Sequence, residues 1–262
     1  MEQTTQKKET KFNFPTEEVT LPSKGLLYPE DSPLSKGVIE MKYMTAREED
    51  ILTNQNYIKA GTVIDKLLQS LIVTDIDYND LLIGDKNAIL IASRILGYGA
   101  EYTFKMLNPT NGEEENVTVD LTEADDKWID ESLIQNNTND FEFELPTSKI
   151  NVNFKLLTHK DDLAIDREIK GLKKINKNSS SDMSTRMKHI ITAVDGDREK
   201  KTIREFVDTA LLAKDSRALR NYMTGIMPDI DLEFDIEFDN GHVKEGVTLP
   251  IGVGFFWPDV EL

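Results

Sequence analysis

The sequence predicts an α+β fold: a helical N-terminal lobe with antiparallel β-hairpins, followed by a helical C-terminal region. Three observations lead there. Apolar residues recur at helical spacing in 62–72 and again in 85–96. Three strand–turn–strand units are marked by Pro109-Thr110-Asn111-Gly112, Pro146-Thr147-Ser148-Lys149 and Asp239-Asn240-Gly241. Helices and hairpins are segregated along the chain rather than alternating as βαβ, which argues against a doubly wound nucleotide-binding sheet. The expected organisation is a mobile N-terminal tail (1–14), an N-terminal lobe of loop, strand, helices and first hairpin (15–125), and a second lobe of hairpin, helices, acidic hairpin and aromatic C-terminus (126–262).

Residues 1–11 hold no apolar periodicity, so Phe12 and Phe14 are the first side chains able to anchor anything. Pro22, Gly25, Pro29 and Pro33 punctuate 21–36, which is expected to be a loop or irregular hairpin held by Leu26, Leu27 and Tyr28. A short half-buried strand follows over 38–44. Thr45 and Glu48 then have the spacing of a capping box, and Glu48, Glu49 and Asp50 favour the positive end of a helix dipole. Thr62 is placed to cap a core helix running to about Ile72, and a further helix from near Asp85 is expected to stop at Gly97 and Gly99.

The first hairpin is expected over 101–107 and 117–121, the second over 141–145 and 150–156, and the third over 230–238 and 243–249. The first and third share an X-Asn-Gly turn, which fits either a weak internal duplication or generic hairpin chemistry. Helices are expected over 160–176, 183–194, 202–213 and 215–224, the last stopped by Gly225 and Pro228, with 176–182 (NKNSSSD) as a solvated loop.

The blocks 21–53, 61–72, 89–102, 215–228 (DSRALRNYMTGIMP) and 249–258 (LPIGVGFFWP) together resemble the baseplate hub family of T4-like tailed phages. None of them is a catalytic signature. The resemblance implies a virion protein without enzymatic activity that works through contacts with other phage baseplate or hub proteins. An assembly chaperone absent from the mature virion is the alternative. Either role implies the host cytoplasm during assembly, and the structural role adds the virion tail baseplate.

Composition bounds the function independently. The formal net charge of −17 argues against nucleic acid or an anionic membrane as the main partner and leaves a basic protein surface as a natural one. The absence of cysteine excludes disulfides, thiolate metal sites and cysteine nucleophiles. No apolar run approaches the roughly 20 residues of a membrane span, and the polar start lacks a signal-peptide core, so a soluble protein not exported by that route is expected.

No nucleophile elbow, phosphate loop or paired-histidine motif occurs, so no catalytic residue, small-molecule substrate or cofactor is expected. His159, His189 and His242 each read as surface or cap-adjacent. Some members of the resembled family carry Cys-Pro-x-Cys-Gly knuckles, and Asn108-Pro109-Thr110-Asn111-Gly112 looks like one with both thiols replaced, so no metal ligand is carried over. Asp195, Asp197 and Glu199 are spaced like calcium ligands but lack the glycine and distal glutamate of that loop; a solvated helix-to-helix turn is expected.

Two interaction candidates remain. In 229–239 (DIDLEFDIEFD), Ile230, Leu232, Phe234, Ile236 and Phe238 face one way, while Asp231, Glu233, Asp235 and Glu237 with the flanking acids face the other. The acidic face either keeps an exposed sheet solvated or docks a basic partner. Phe255, Phe256 and Trp257 either close the C-terminal core or anchor a neighbour.

Overall fold

The structure, a computed structural model, describes residues 15–134, 138–175 and 181–256. The tail 1–14, residues 176–180 of the NKNSSSD segment, and Trp257 lie outside the described residues. The architecture is α+β, with helices and small antiparallel sheets around a contiguous apolar core.

Strand β1 (Thr16–Thr20) pairs antiparallel with β2 (Val38–Lys42), Val19 opposite Ile39. Nothing in the TEEVT run announces β1, since it offers a single large apolar side chain. Between the strands the chain makes tight turns and a short 3₁₀ segment (Pro33–Lys36). Gly25 and Gly37 take positive φ where the two limbs of this loop pass: a β-carbon on Gly25 would lie 2.4 Å from the Ser35 carbonyl oxygen, and one on Gly37 would lie 2.6 Å from that of Lys24.

Helices α1 (Ala46–Leu52), α2 (Gln55–Ala60), α3 (Val63–Leu71) and α4 (Ile83–Tyr98) follow. Glu48 folds back so that its Oε2 accepts from the Thr45 amide (3.0 Å) and hydroxyl (2.6 Å). The short α2 was unforeseen; Asn54 caps it by accepting from the Asn56 and Tyr57 amides. Thr62 stands at the N-cap of α3 but makes no side-chain capping bond. Helix α4 starts two residues before Asp85, runs through Gly97 and is capped by Gly99. Its Gly84 is fixed by close approach, since a β-carbon there would sit 1.8 Å from the Pro228 carbonyl oxygen.

The first hairpin is β3 (Glu101–Leu107) with β4 (Glu114–Asp120). After the short β5 (Asp126–Lys127) comes a three-stranded sheet: β6 (Phe141–Glu144), β7 (Asn151–Phe154) and, after α5 (His159–Ile175) and α6 (Asp182–Ile190), β8 (Ile191–Val194). The helix expected over 183–194 is therefore corrected: it ends at Ile190, and 191–194 crosses to pair with β7. The ITAV segment is apolar at helical and strand spacing alike, and long-range pairing decides it. Consequently 195–199 is a strand-to-helix turn rather than a helix-to-helix one. Asp195 Oδ1 accepts from the Asn151 amide, and Asp197 accepts from the Glu199 amide and Thr202 hydroxyl.

Helices α7 (Lys200–Thr209) and α8 (Ala213–Ile226) lead to β9 (Asp229–Ile230), which pairs with β5. The third hairpin, β10 (Glu233–Glu237) with β11 (Val243–Thr248), is thus shorter at its start than expected, because 229–230 belongs to a different pairing. A final turn of helix, α9 (Val253–Phe256), closes the described chain.

Candidate functional site

The acidic hairpin is held at both ends. At its root, β9 pairs with β5 and the Asp231 amide donates to the Asp125 carbonyl at 2.8 Å. At its tip, the Asp239 amide donates to Glu115 Oε2 (3.0 Å) and Asn240 Nδ2 to Thr110 Oγ1 (2.7 Å), so the third turn is bonded to the first. Phe234, Ile236 and Phe238 are buried beneath, while Asp231, Glu233, Asp235 and Glu237 are exposed, as period-two alternation requires.

The four carboxylates divide into two pairs. Asp231 Oδ1 accepts from the Glu233 amide, and Asp235 Oδ1 accepts from the Gly246 amide across the register shift between Phe234 and Ile236. These two shape the backbone. Glu233 and Glu237 make no side-chain hydrogen bond among the described residues, and no ion pair there neutralises any of the four. The result is an uncompensated negative row on a fixed support, suited to attracting a cationic surface.

The Asn-Pro-Thr-Asn-Gly turn is closed by its own amides. Asn108 is fully buried; its Oδ1 accepts from the Thr110 amide (2.9 Å) and hydroxyl (2.7 Å), while its Nδ2 donates to Glu115 Oε1 (2.7 Å). Asn111 Oδ1 accepts from the Glu113 amide. The Asn108 and Asp239 hydrogen bonds hold the Glu115 carboxyl below the usual carboxylate range. Among the described residues no group of three or more His, Asp or Glu is arranged to hold a metal ion.

The aromatic terminus turns inward. Phe255 and Phe256 are buried, Phe255 meeting Tyr102 edge-on at 4.9 Å, so neither ring offers a face to a neighbour. Arg94, 1% exposed, ties this end down, donating to the carbonyls of Phe255 (2.9 Å), Gly99 (2.7 Å) and Glu101 (3.0 Å).

Of the two readings of His159, surface or cap-adjacent, the second holds: it lies at the helix start and is buried rather than at the surface. It opens α5 but is 4% exposed, edge-on to Tyr78, with its ring nitrogens 3.3 Å from Lys86 Nζ and 3.7 Å from Asp65 Oδ2. Burial and the adjacent Lys86 lower its pKa, against the pull of Asp65 and Asp162. His189 is partly buried against Glu168 at 2.9 Å, and His242 is exposed in the third turn.

A bacteriophage family model, the T4 bacteriophage base plate protein, matches residues 7–257. The chain belongs to that family. The match begins ahead of the first strand pair and runs through the acidic hairpin to residue 257, so both interaction candidates lie inside it. No curated protein and no solved structure matches the chain. In this T4 baseplate family member no described helix is long and apolar enough to cross a membrane.

Proposed function

We propose that this chain is a non-enzymatic component of the tail baseplate hub, acting through protein–protein contacts in baseplate and tail assembly. The observation that carries this reading is the uncompensated acidic row of the third hairpin, pinned at root and tip. A rigid, pre-formed charged face lowers the ordering cost of association and speeds encounter with a cationic partner surface. Its partner is then a neighbouring baseplate or hub protein that presents a basic patch.

The polar clusters that could suggest catalysis serve the fold instead. Asp65, Lys86 and His159 bind one another across α3, α4 and α5, and Asp85 accepts from Ser23 and Tyr28 to lock the 21–28 loop onto α4.

The test is a Glu233→Lys/Glu237→Lys variant, which reverses the two carboxylates that make no internal contact and spares Asp231 and Asp235. Its urea midpoint is expected to match the parent, while its incorporation into baseplates in a complementation assay falls at least tenfold. Undiminished incorporation would remove the acidic face as a docking element.

A further inference from the structure

The surface carries a second charged feature of opposite sign. A cleft of about 330 Å³ opens between α6, β8 and the start of α7. Lys155, Lys188, Arg198, Lys200 and Arg204 line it against a single lining carboxylate, Asp161. In a chain of net charge −17 such a concentration of cations runs against the background.

The cations are unequally committed. Lys155 Nζ is 2.6 Å from Asp161, Lys188 Nζ 2.7 Å from Asp208, and Arg198 2.7 Å from Asp140. These pairs fix the walls. Lys200 has no ion-pair or hydrogen-bond partner among the described residues, and Arg204 reaches Glu168 only at 3.9 Å. Lys200 is also the first residue of α7, so the helix dipole adds positive potential where these two donors stand. Buried Ile191 and Ile203 supply an apolar floor.

We infer that this cleft docks an acidic segment of a partner protein, with Lys200 and Arg204 receiving two of its carboxylates. Three features select a peptide over a nucleic acid. The cleft has room for a few side chains, the unpaired Lys200 and the loosely paired Arg204 match two carboxylates, and the acidic remainder of the surface repels a long phosphate backbone. The inference holds whether or not the baseplate-hub reading does, and it gives the chain two docking polarities, a negative hairpin and a positive cleft.

The test uses the full chain and a fluorescein-labelled deca-glutamate peptide, read by anisotropy at low salt. The parent is expected to bind, and Lys200→Glu/Arg204→Glu to weaken binding at least tenfold with an unchanged circular dichroism spectrum. A Lys59→Glu/Lys66→Glu variant, which removes the same charge from exposed positions elsewhere, is expected to bind within about twofold of the parent. Equal loss in both variants, or none in either, would overturn the site. Displacement of the peptide by inorganic phosphate or a ten-nucleotide single strand at lower concentration than by unlabelled peptide would overturn the peptide assignment. Sedimentation showing a dimer that Lys200→Glu/Arg204→Glu makes monomeric would instead place a second copy of this chain in the cleft.

Discussion

Asn240 in the third hairpin turn donates from Nδ2 to Thr110 Oγ1 in the first, at 2.7 Å, joining residues 130 positions apart. The acceptor Thr110 is itself held by buried Asn108, so the acidic row depends on a chain of turn contacts rather than on strand pairing alone.

That arrangement ranks two substitutions. Asn108→Ala removes a buried side chain that bonds the Thr110 amide, the Thr110 hydroxyl and Glu115, and is expected to cost about 1–3 kcal/mol, the sum of several bonds worth about 1 kcal/mol each. Asn240→Ala removes one exposed bond and is expected to cost about 0.5–1 kcal/mol. Urea unfolding of both variants checks the order, and the reverse order would contradict the account of the joint.

Arg94 offers a sharper test of the C-terminal closure. Arg94→Met fits the volume but leaves the carbonyls of Phe255, Gly99 and Glu101 without their donor. A loss of about 3 kcal/mol is expected, with little rescue by Arg94→Lys, whose point-like ammonium lacks the planar spread of donors. Full rescue by lysine would show that charge rather than geometry holds the closure.

Glu48 makes stability depend on pH. It is fully buried; burial raises its pKa, but hydrogen bonds from Lys42, Thr45 and Ser70 outweigh this and bring it from 4.5 to about 2. A depressed carboxylate pKa stabilises the fold above the unfolded value, and that contribution is lost as pH falls from about 4.5 through about 2. The stake is about 3 kcal/mol. Comparing unfolding of the parent and Glu48→Gln, the gap is expected to be wide at pH 6 and to narrow by pH 3. A gap independent of pH would contradict the assignment.

Gly84→Ala tests the packing of α4 beneath the acidic hairpin. The substitution would favour an isolated helix by about 1 kcal/mol. Here its β-carbon would meet the Pro228 carbonyl oxygen, forcing 228–230 away and breaking the pairing with Asp126 and Lys127. Net destabilisation, with faster amide exchange at Ile230 and Asp231, is expected; a stabilised variant would contradict it.

The parts legible in the sequence were those set by local chemistry. Thr45 and Glu48 are three residues apart, the Asn-Gly turns carry their own hydrogen-bond donors and acceptors, and 233–238 alternates without interruption. What was hidden depends on distant partners. Strand β1 looks polar because it lies at a sheet edge, and Ile191–Val194 becomes a strand only because β7 is beside it. Asp229–Ile230 leaves the third hairpin for β5, where Ile230 pairs with Asp126, 104 residues earlier. The basic cleft gathers cations from 155 to 204 on separate elements, so no linear run announces it.

Quantitative mass spectrometry of purified mature particles decides whether the chain is a built-in baseplate component. A built-in component is expected at a fixed, small whole-number ratio to the tail-tube protein. Abundance in infected-cell lysate with absence from particles would contradict it and identify an assembly chaperone instead.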